Sequence, residues 1–166
     1  MNIPQYIPTI SEDDINSVNN YMKSGGFITE FKQSRKFETL LAEYCKCDYA
    51  ILFPNGTLTM YAIIKCLNLK DTDKILVPNF TMAATAFAPL EANQNITFVD
   101  VEYPQLTINL EIIKRELDKD PTIKVIMLVS ANGREPSCGI EEILDFCRSR
   151  NLYLIEDAAQ GFRFKV

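Results

Sequence analysis

Apolar positions follow two periods along the chain. Ile15, Val18 and Met22 recur at helical spacing after Ser11-Glu12-Asp13-Asp14, where Ser11 serves as N-cap and an acid follows three residues on. Gly25-Gly26 stops this helix. A second helix is predicted over Phe31–Cys45, with Phe37, Leu40, Leu41 and Tyr44 facing inward. The pattern then alternates. Short apolar runs predict strands at Tyr49–Phe53, Ile75–Val77, Ile96–Val99 and Val125–Val129. Amphipathic stretches between them predict helices at Thr57–Leu67, Thr81–Glu91, Leu110–Leu117 and Ile140–Arg150. A closing strand, Leu152-Tyr153-Leu154-Ile155, ends abruptly in Glu156-Asp157-Ala158-Ala159-Gln160.

Strands alternating with helices predict an α/β fold with a parallel sheet covered on both faces. No internal repeat, low-complexity tract or linker interrupts the pattern, so residues 1–166 read as one domain. Only Gly161-Phe162-Arg163-Phe164-Lys165-Val166 follows the last strand, too little for a covering helix. The expectation is a fold cut short at its C-terminal end, with an exposed sheet edge that favours association.

Composition narrows the function. The chain is 47% hydrophobic and 23% charged, as ordinary globular proteins are. A net charge of -5 argues against nucleic acid and acidic membranes as partners. No apolar run is long enough to span a bilayer, and the N-terminus lacks a signal-peptide pattern, so a cytoplasmic location is expected. Five cysteines without a secretion signal read as free thiols, and Cys45-Lys46-Cys47 as incidental spacing. The absence of histidine removes His-based triads and most zinc sites, and no metal is expected.

Candidate chemistry lies where strands run out, since ligands of open α/β sheets bind beyond the carboxyl ends of the strands. Pro54-Asn55-Gly56-Thr57-Leu58-Thr59 joins a strand to a helix. Gly56 permits close backbone approach, and the helix start with the hydroxyls of Thr57 and Thr59 would serve as a phosphate cradle. Taken alone, the stretch reads better as an ordinary strand-to-helix turn capped by Thr57. It matches neither a Walker loop nor a GxGxxG fingerprint. Pro78-Asn79-Phe80-Thr81-Met82-Ala83-Ala84-Thr85 opens a helix with small residues, either as a shelf for a flat ligand or as a buried Ala-rich helix. Asn132-Gly133-Arg134-Glu135-Pro136 is a turn in which Arg134 could meet an anion. Glu156 and Asp157 are adjacent and point to opposite faces, which argues against paired-carboxylate glycoside chemistry. Asp157 is either a cap of the next turn or a ligand-facing carboxylate. Taken together, the loops could hold a flat phosphorylated heterocycle, with an acid positioned to keep a pyridine nitrogen protonated.

On these motifs the chain resembles the N-terminal part of the DegT/StrS-type sugar aminotransferases. These are pyridoxal-phosphate enzymes of the aspartate aminotransferase fold (fold type I), with a three-layer parallel-sheet large domain. The resemblance runs from Gly25-Gly26-Phe27-Ile28-Thr29 through Asn55-Gly56-Thr57, Val77-Pro78-Asn79-Phe80-Thr81 and Phe98-Val99-Asp100 to Glu156-Asp157-Ala158-Ala159-Gln160. Asn132-Gly133-Arg134-Glu135-Pro136 is similar to the branch related to perosamine synthases. The resemblance implies pyridoxal 5'-phosphate (PLP) as cofactor. Asp157 would pair with the pyridine nitrogen, Gln160 with the ring hydroxyl, and Gly56 and Thr57 with the phosphate. Met82 would lie where many members stack an aromatic, as a softer contact. The reaction implied is amino transfer, usually from glutamate, to a nucleotide-linked 4-keto-6-deoxy sugar, in a homodimer.

The family's Schiff-base lysine lies a couple of dozen residues beyond the Glu-Asp-Ala-Ala-Gln motif. Lys165 is too close to be that residue, so no catalytic residue is assigned and the isolated chain is expected to be inactive. The alternative to an aminotransferase fragment is an inactive remnant or a subunit whose partner supplies the lysine. A dehydratase branch of the family carries histidine in place of that lysine. A plain nucleotide-binding α/β domain would need the glycine fingerprint that is missing.

Overall fold

The computed structural model describes residues 3–4, 7–29 and 31–161. Phe162-Arg163-Phe164 and Lys165 lie outside the described residues. The chain falls into two compact units, Met1–Leu52 and Phe53–Val166.

The first unit holds α1 (Glu12–Lys23) and α2 (Lys32–Cys45). Ser11 starts α1 with a reciprocal capping box. Its hydroxyl accepts the Asp14 N–H at 3.2 Å, and the Asp14 carboxylate accepts the Ser11 N–H at 2.8 Å. Gly25 and Gly26 follow α1 at φ +73° and +92°, which glycine adopts without strain. The start of α2 is Lys32 and not Phe31, because Phe31 is left-handed at φ 60°. Its expected inward face is not buried: Phe37 and Leu40 are each 51% exposed, and no residue of either helix is buried. An amphipathic period shows which residues share a face, but a burying surface must come from elsewhere.

The expected strand Tyr49–Phe53 is absent. That segment is irregular and joins no ladder, and the Leu52 N–H donates to Glu38 Oε1 at 2.9 Å. Apolar and aromatic residues favour a strand only when a neighbour is there to pair, and the described residues offer none.

The second unit carries the sheet. Its elements are α3 (Gly56–Cys66), β1 (Lys74–Pro78), α4 (Ala83–Glu91), β2 (Asn95–Val99), α5 (Leu110–Lys119), β3 (Ile123–Val129), α6 (Ile140–Ser149) and β4 (Tyr153–Asp157). Strand order is β2-β1-β3-β4, and every pairing is parallel. Alternate residues of β1 and β3 face opposite layers. Ile75, Val77, Val125 and Met127 pack with Met60 and Ile64 of α3 and Ala88 of α4. Leu76, Ile126 and Leu128 pack with Ile112 and Ile113 of α5 and Ile143 and Cys147 of α6. The result is the three-layer α/β architecture that the alternating pattern predicts. α4 begins at Ala83, two residues later than expected, after an extended Met82. Lys74 at the start of β1 meets Asp120 at 2.7 Å; that bond, with those from Thr122, holds the Asp120 carboxyl down at about 2. Among the described residues no helix is long and apolar enough to cross a membrane.

Ile126 is fully buried in the central strand. Ile126→Ala is expected to cost about 2–5 kcal/mol, read as a lower urea midpoint with an unchanged slope. Val18→Ala, on an exposed helix face, is expected to shift stability by no more than about 0.5 kcal/mol.

Candidate functional site

A cavity of about 400 Å³ opens at the carboxyl ends of β1, β3 and β4, within the second unit. That volume suits a small cofactor. Gly56, Thr57, Met82, Asp157 and Gln160 all line it, and Asn132 from the loop after β3 joins them, so four separate loops converge. Arg134 does not reach it: its guanidinium donates to the Pro104 carbonyl, beside a separate hollow.

The α3 start supplies backbone donors. Asn55 caps it, its Oδ1 accepting the Leu58 N–H at 3.0 Å. The Gly56 and Thr57 N–H groups have no intrahelical acceptor, at the positive end of the helix. The space where Gly56 would carry a Cβ is open to 4 Å. The chain reaches this helix without the expected strand before it, yet the loop still meets the cavity.

Asp157 ends β4, and parallel pairing sets it opposite Val129. Its Oδ2 accepts from the Thr85 hydroxyl at 3.0 Å, and its Oδ1 accepts the Ala159 N–H at 3.2 Å. Thr85 in turn lies 2.7 Å from the Thr81 hydroxyl. Gln160 Oε1 accepts the Asn132 N–H at 2.9 Å, which leaves its amide N–H groups as the donors available to a ligand. Met82 immediately precedes α4 and is largely exposed. Thr81, Thr85 and Asn132 lie inside stretches that the sequence marks as candidate loops, but none of the three is given a role of its own there. Their contacts reach 72 residues (Thr85 to Asp157) and 28 residues (Asn132 to Gln160) along the chain, beyond any local pattern.

Glu156 and Asp157 diverge as alternation requires. Glu156 is not on the cavity wall; its Oε1 lies 3.5 Å from the Ser130 hydroxyl. Desolvation raises the Glu156 carboxyl above its ordinary 4.5, the Ser130 hydroxyl opposes this, and the charge of Glu135 adds to it. Ser130 is buried and packs tightly on the turn after β4: a Cβ on Gly161 would come 2.3 Å from Ser130 Cβ. No lysine lines the cavity among the described residues.

The donor set fits a flat phosphorylated heterocycle. The lining offers backbone N–H groups at Gly56 and Thr57, an amide donor at Gln160, a carboxylate at Asp157 and a thioether at Met82.

Comparison with known proteins agrees in one direction. The family model described as the DegT/DnrJ/EryC1/StrS aminotransferase family matches residues 8–166. GDP-perosamine synthase of Vibrio cholerae is 30% identical over 159 residues, 96% of this chain and 42% of that protein. GDP-perosamine synthase of Escherichia coli O157:H7 is 28% identical over 163 residues, 98% of this chain and 44% of that protein. Among solved structures, the aminotransferase from Psychrobacter cryohalolentis superposes with a TM-score of 0.82 at 27% identity, over 93% of this chain and 38% of that one. The E. coli GDP-4-keto-6-deoxy-D-mannose-3-dehydratase with bound hydrated PLP gives 0.80 at 22% identity, over 94% of this chain and 40% of that one. The second likeness is one of fold. The chain therefore spans less than half the length of these relatives.

Two outcomes follow from the packing around Ser130. Gly161→Ala is expected to destabilise by about 1–3 kcal/mol, because the new methyl overlaps Ser130 Cβ, and adding Ser130→Gly should recover part of the loss in thermal melts. Glu156, with its raised folded-state value, favours the folded state fully below 4.5 and loses that advantage as pH rises through the raised value. Glu156→Gln is therefore expected to gain melting temperature over the parent as pH rises from about 4 to 7, with no gain at the acid end.

Proposed function

The chain belongs to the DegT/DnrJ/EryC1/StrS aminotransferase family, and we propose that its cavity seats pyridoxal 5'-phosphate in the N-terminal part of an enzyme's large domain. The complete enzyme would transfer an amino group, with glutamate as donor, to a nucleotide-linked 4-keto-6-deoxy sugar. We place it in the cytoplasm as a homodimer. The observation that carries the reading is Asp157: a carboxylate at a strand end, with a donor on each oxygen, in the wall of a cavity that also holds Gln160 and the α3 start.

When bound, PLP supplies an electron sink, its protonated pyridine ring taking up the electron pair released at the substrate carbon. The residues of this chain hold it in place and in the right protonation state. Asp157 faces the ring nitrogen and keeps the proton there. Gln160 donates from Nε2 to the ring hydroxyl oxygen, since Asn132 already occupies its Oε1. Gly56 and Thr57 take the phosphate through backbone N–H groups and the Thr57 hydroxyl. Met82 packs against the ring face as a soft, adaptable contact. The likeness to two GDP-perosamine synthases supports a nucleotide sugar as acceptor.

A second reading makes the complete protein a dehydratase of the same family, which the fold likeness to the E. coli dehydratase favours. The two readings share this cavity and differ in the acid–base residue, lysine or histidine. Among the described residues no lysine lines the cavity, which supports a further point: the 166 residues by themselves are a binding part, catalytically inactive or dependent on a partner that brings the base.

Pyridoxamine 5'-phosphate forms no adduct with surface lysines, so it reports the seat itself. Saturable one-to-one binding is expected by fluorescence titration, and Asp157→Asn should weaken it about tenfold or more. The 166-residue chain, given PLP, glutamate and a GDP-linked 4-keto-6-deoxy sugar, should turn over no faster than a heat-killed control. Absence of saturable binding, or tighter binding of a nucleotide than of the cofactor, would contradict the reading.

A further inference from the structure

One buried polar group beside the cavity has no task in touching the cofactor. Thr85 is 0% exposed, in a helix whose other residues are mostly alanine and larger apolar side chains. A valine of nearly the same shape would bury no hydroxyl there, and a buried hydroxyl costs free energy unless it is hydrogen-bonded. A helical threonine ordinarily satisfies its hydroxyl on the carbonyl three or four residues back. The Thr85 hydroxyl instead reaches 72 residues along the chain to Asp157 Oδ2, at 3.0 Å.

The direction of the bonds follows from their chemistry. An ionised carboxylate only accepts, so the single Thr85 proton goes to Asp157. The 2.7 Å contact between Thr81 and Thr85 must then be donated by Thr81. Thr81 lines the cavity and Thr85 does not. Two hydroxyls therefore run in series from the cavity wall, through the interior, to one oxygen of the carboxylate. The other oxygen takes the Ala159 N–H at 3.2 Å. One donor on each oxygen fixes the rotation of the carboxylate and leaves further lone pairs for a ligand.

We propose that Thr85 is a positioning residue: its hydroxyl, supported by Thr81, locks the Asp157 carboxylate in the orientation that meets the cofactor's pyridine nitrogen. The proposal rests on the reading of the cavity as a PLP seat. It does not require Thr85 to touch the cofactor. Freed of this bond, the carboxylate rotates, and the ring nitrogen loses its partner for part of the time.

The test uses the 166-residue chain with pyridoxamine 5'-phosphate carrying ¹⁵N in the ring. Thr85→Val and Thr85→Ala both delete the hydroxyl, one keeping the shape and one keeping helix propensity. Each is expected to weaken binding about five- to tenfold and to move the ring ¹⁵N resonance toward that of the unprotonated pyridine. Thr85→Ser should restore both readouts. Adding Thr85→Val to Asp157→Asn should weaken binding no more than about twofold beyond Asp157→Asn alone, because the hydroxyl acts through that carboxylate. The proposal fails if whichever of Thr85→Val and Thr85→Ala folds binds with the parent's affinity and resonance, or if the losses from Thr85→Val and Asp157→Asn multiply in full. If the parent chain itself binds no pyridoxamine 5'-phosphate, the PLP reading fails and takes this proposal with it.

Discussion

The ladder between β3 and β4 pairs Val129 with Asp157, and the cavity is built outward from that pairing. β3 is buried on both faces, so its register is set by two apolar layers at once. A slip of one residue in β3 would exchange Met127 and Leu128 between layers, and the same slip in β4 would turn Asp157 away from the cavity. Past the ladder the Ser130 N–H donates to the Asp157 carbonyl at 3.1 Å, and Gly161 closes against Ser130. Two neighbouring strand ends are thereby fixed to each other before any ligand is considered. Gln160 and Asn132, whose side chain and backbone bond, ride on the same pair of strand ends.

Much of this architecture is legible from apolar spacing. The runs at Ile75–Val77, Val125–Val129 and Leu152–Ile155 are too short for helices and too apolar for exposed strands, so burial within a parallel sheet follows. The acid at the end of β4 is legible too, because a strand end in such a sheet is where a ligand meets the chain, whereas Asn-Gly-Thr at the α3 start meets the cavity without the strand predicted before it. The failures are non-local. Tyr49–Phe53 has the composition of a strand, but a ladder needs a partner, and a local pattern cannot show whether one is present. Phe37 and Leu40 share a helix face as their spacing requires, yet they stay exposed. Thr85 has no role of its own in the sequence reading of that helix, because its partner is 72 residues away.

The chemistry of the site divides between fixed and adaptable parts. Asp157, Thr85, Gln160 and the α3 start are tied to regular elements by hydrogen bonds of 2.7–3.2 Å, as preorganised polar groups must be. Met82 is the exception: its carbonyl accepts the Thr85 N–H at 3.0 Å, but its side chain is exposed and offers the site only a thioether. A flat ring held by directional bonds along one edge tolerates a soft contact on its face.

The account stands or falls on where a bound ring places its nitrogen. A crystal of the 166-residue chain grown with pyridoxamine 5'-phosphate would show this directly. The expected distance from the pyridine nitrogen to the nearer Asp157 carboxylate oxygen is about 2.7–2.9 Å, that of a charged hydrogen bond, with the phosphate at the Gly56 and Thr57 N–H groups. A ring bound outside this cavity, or inside it with the nitrogen turned from Asp157, would contradict the assignment.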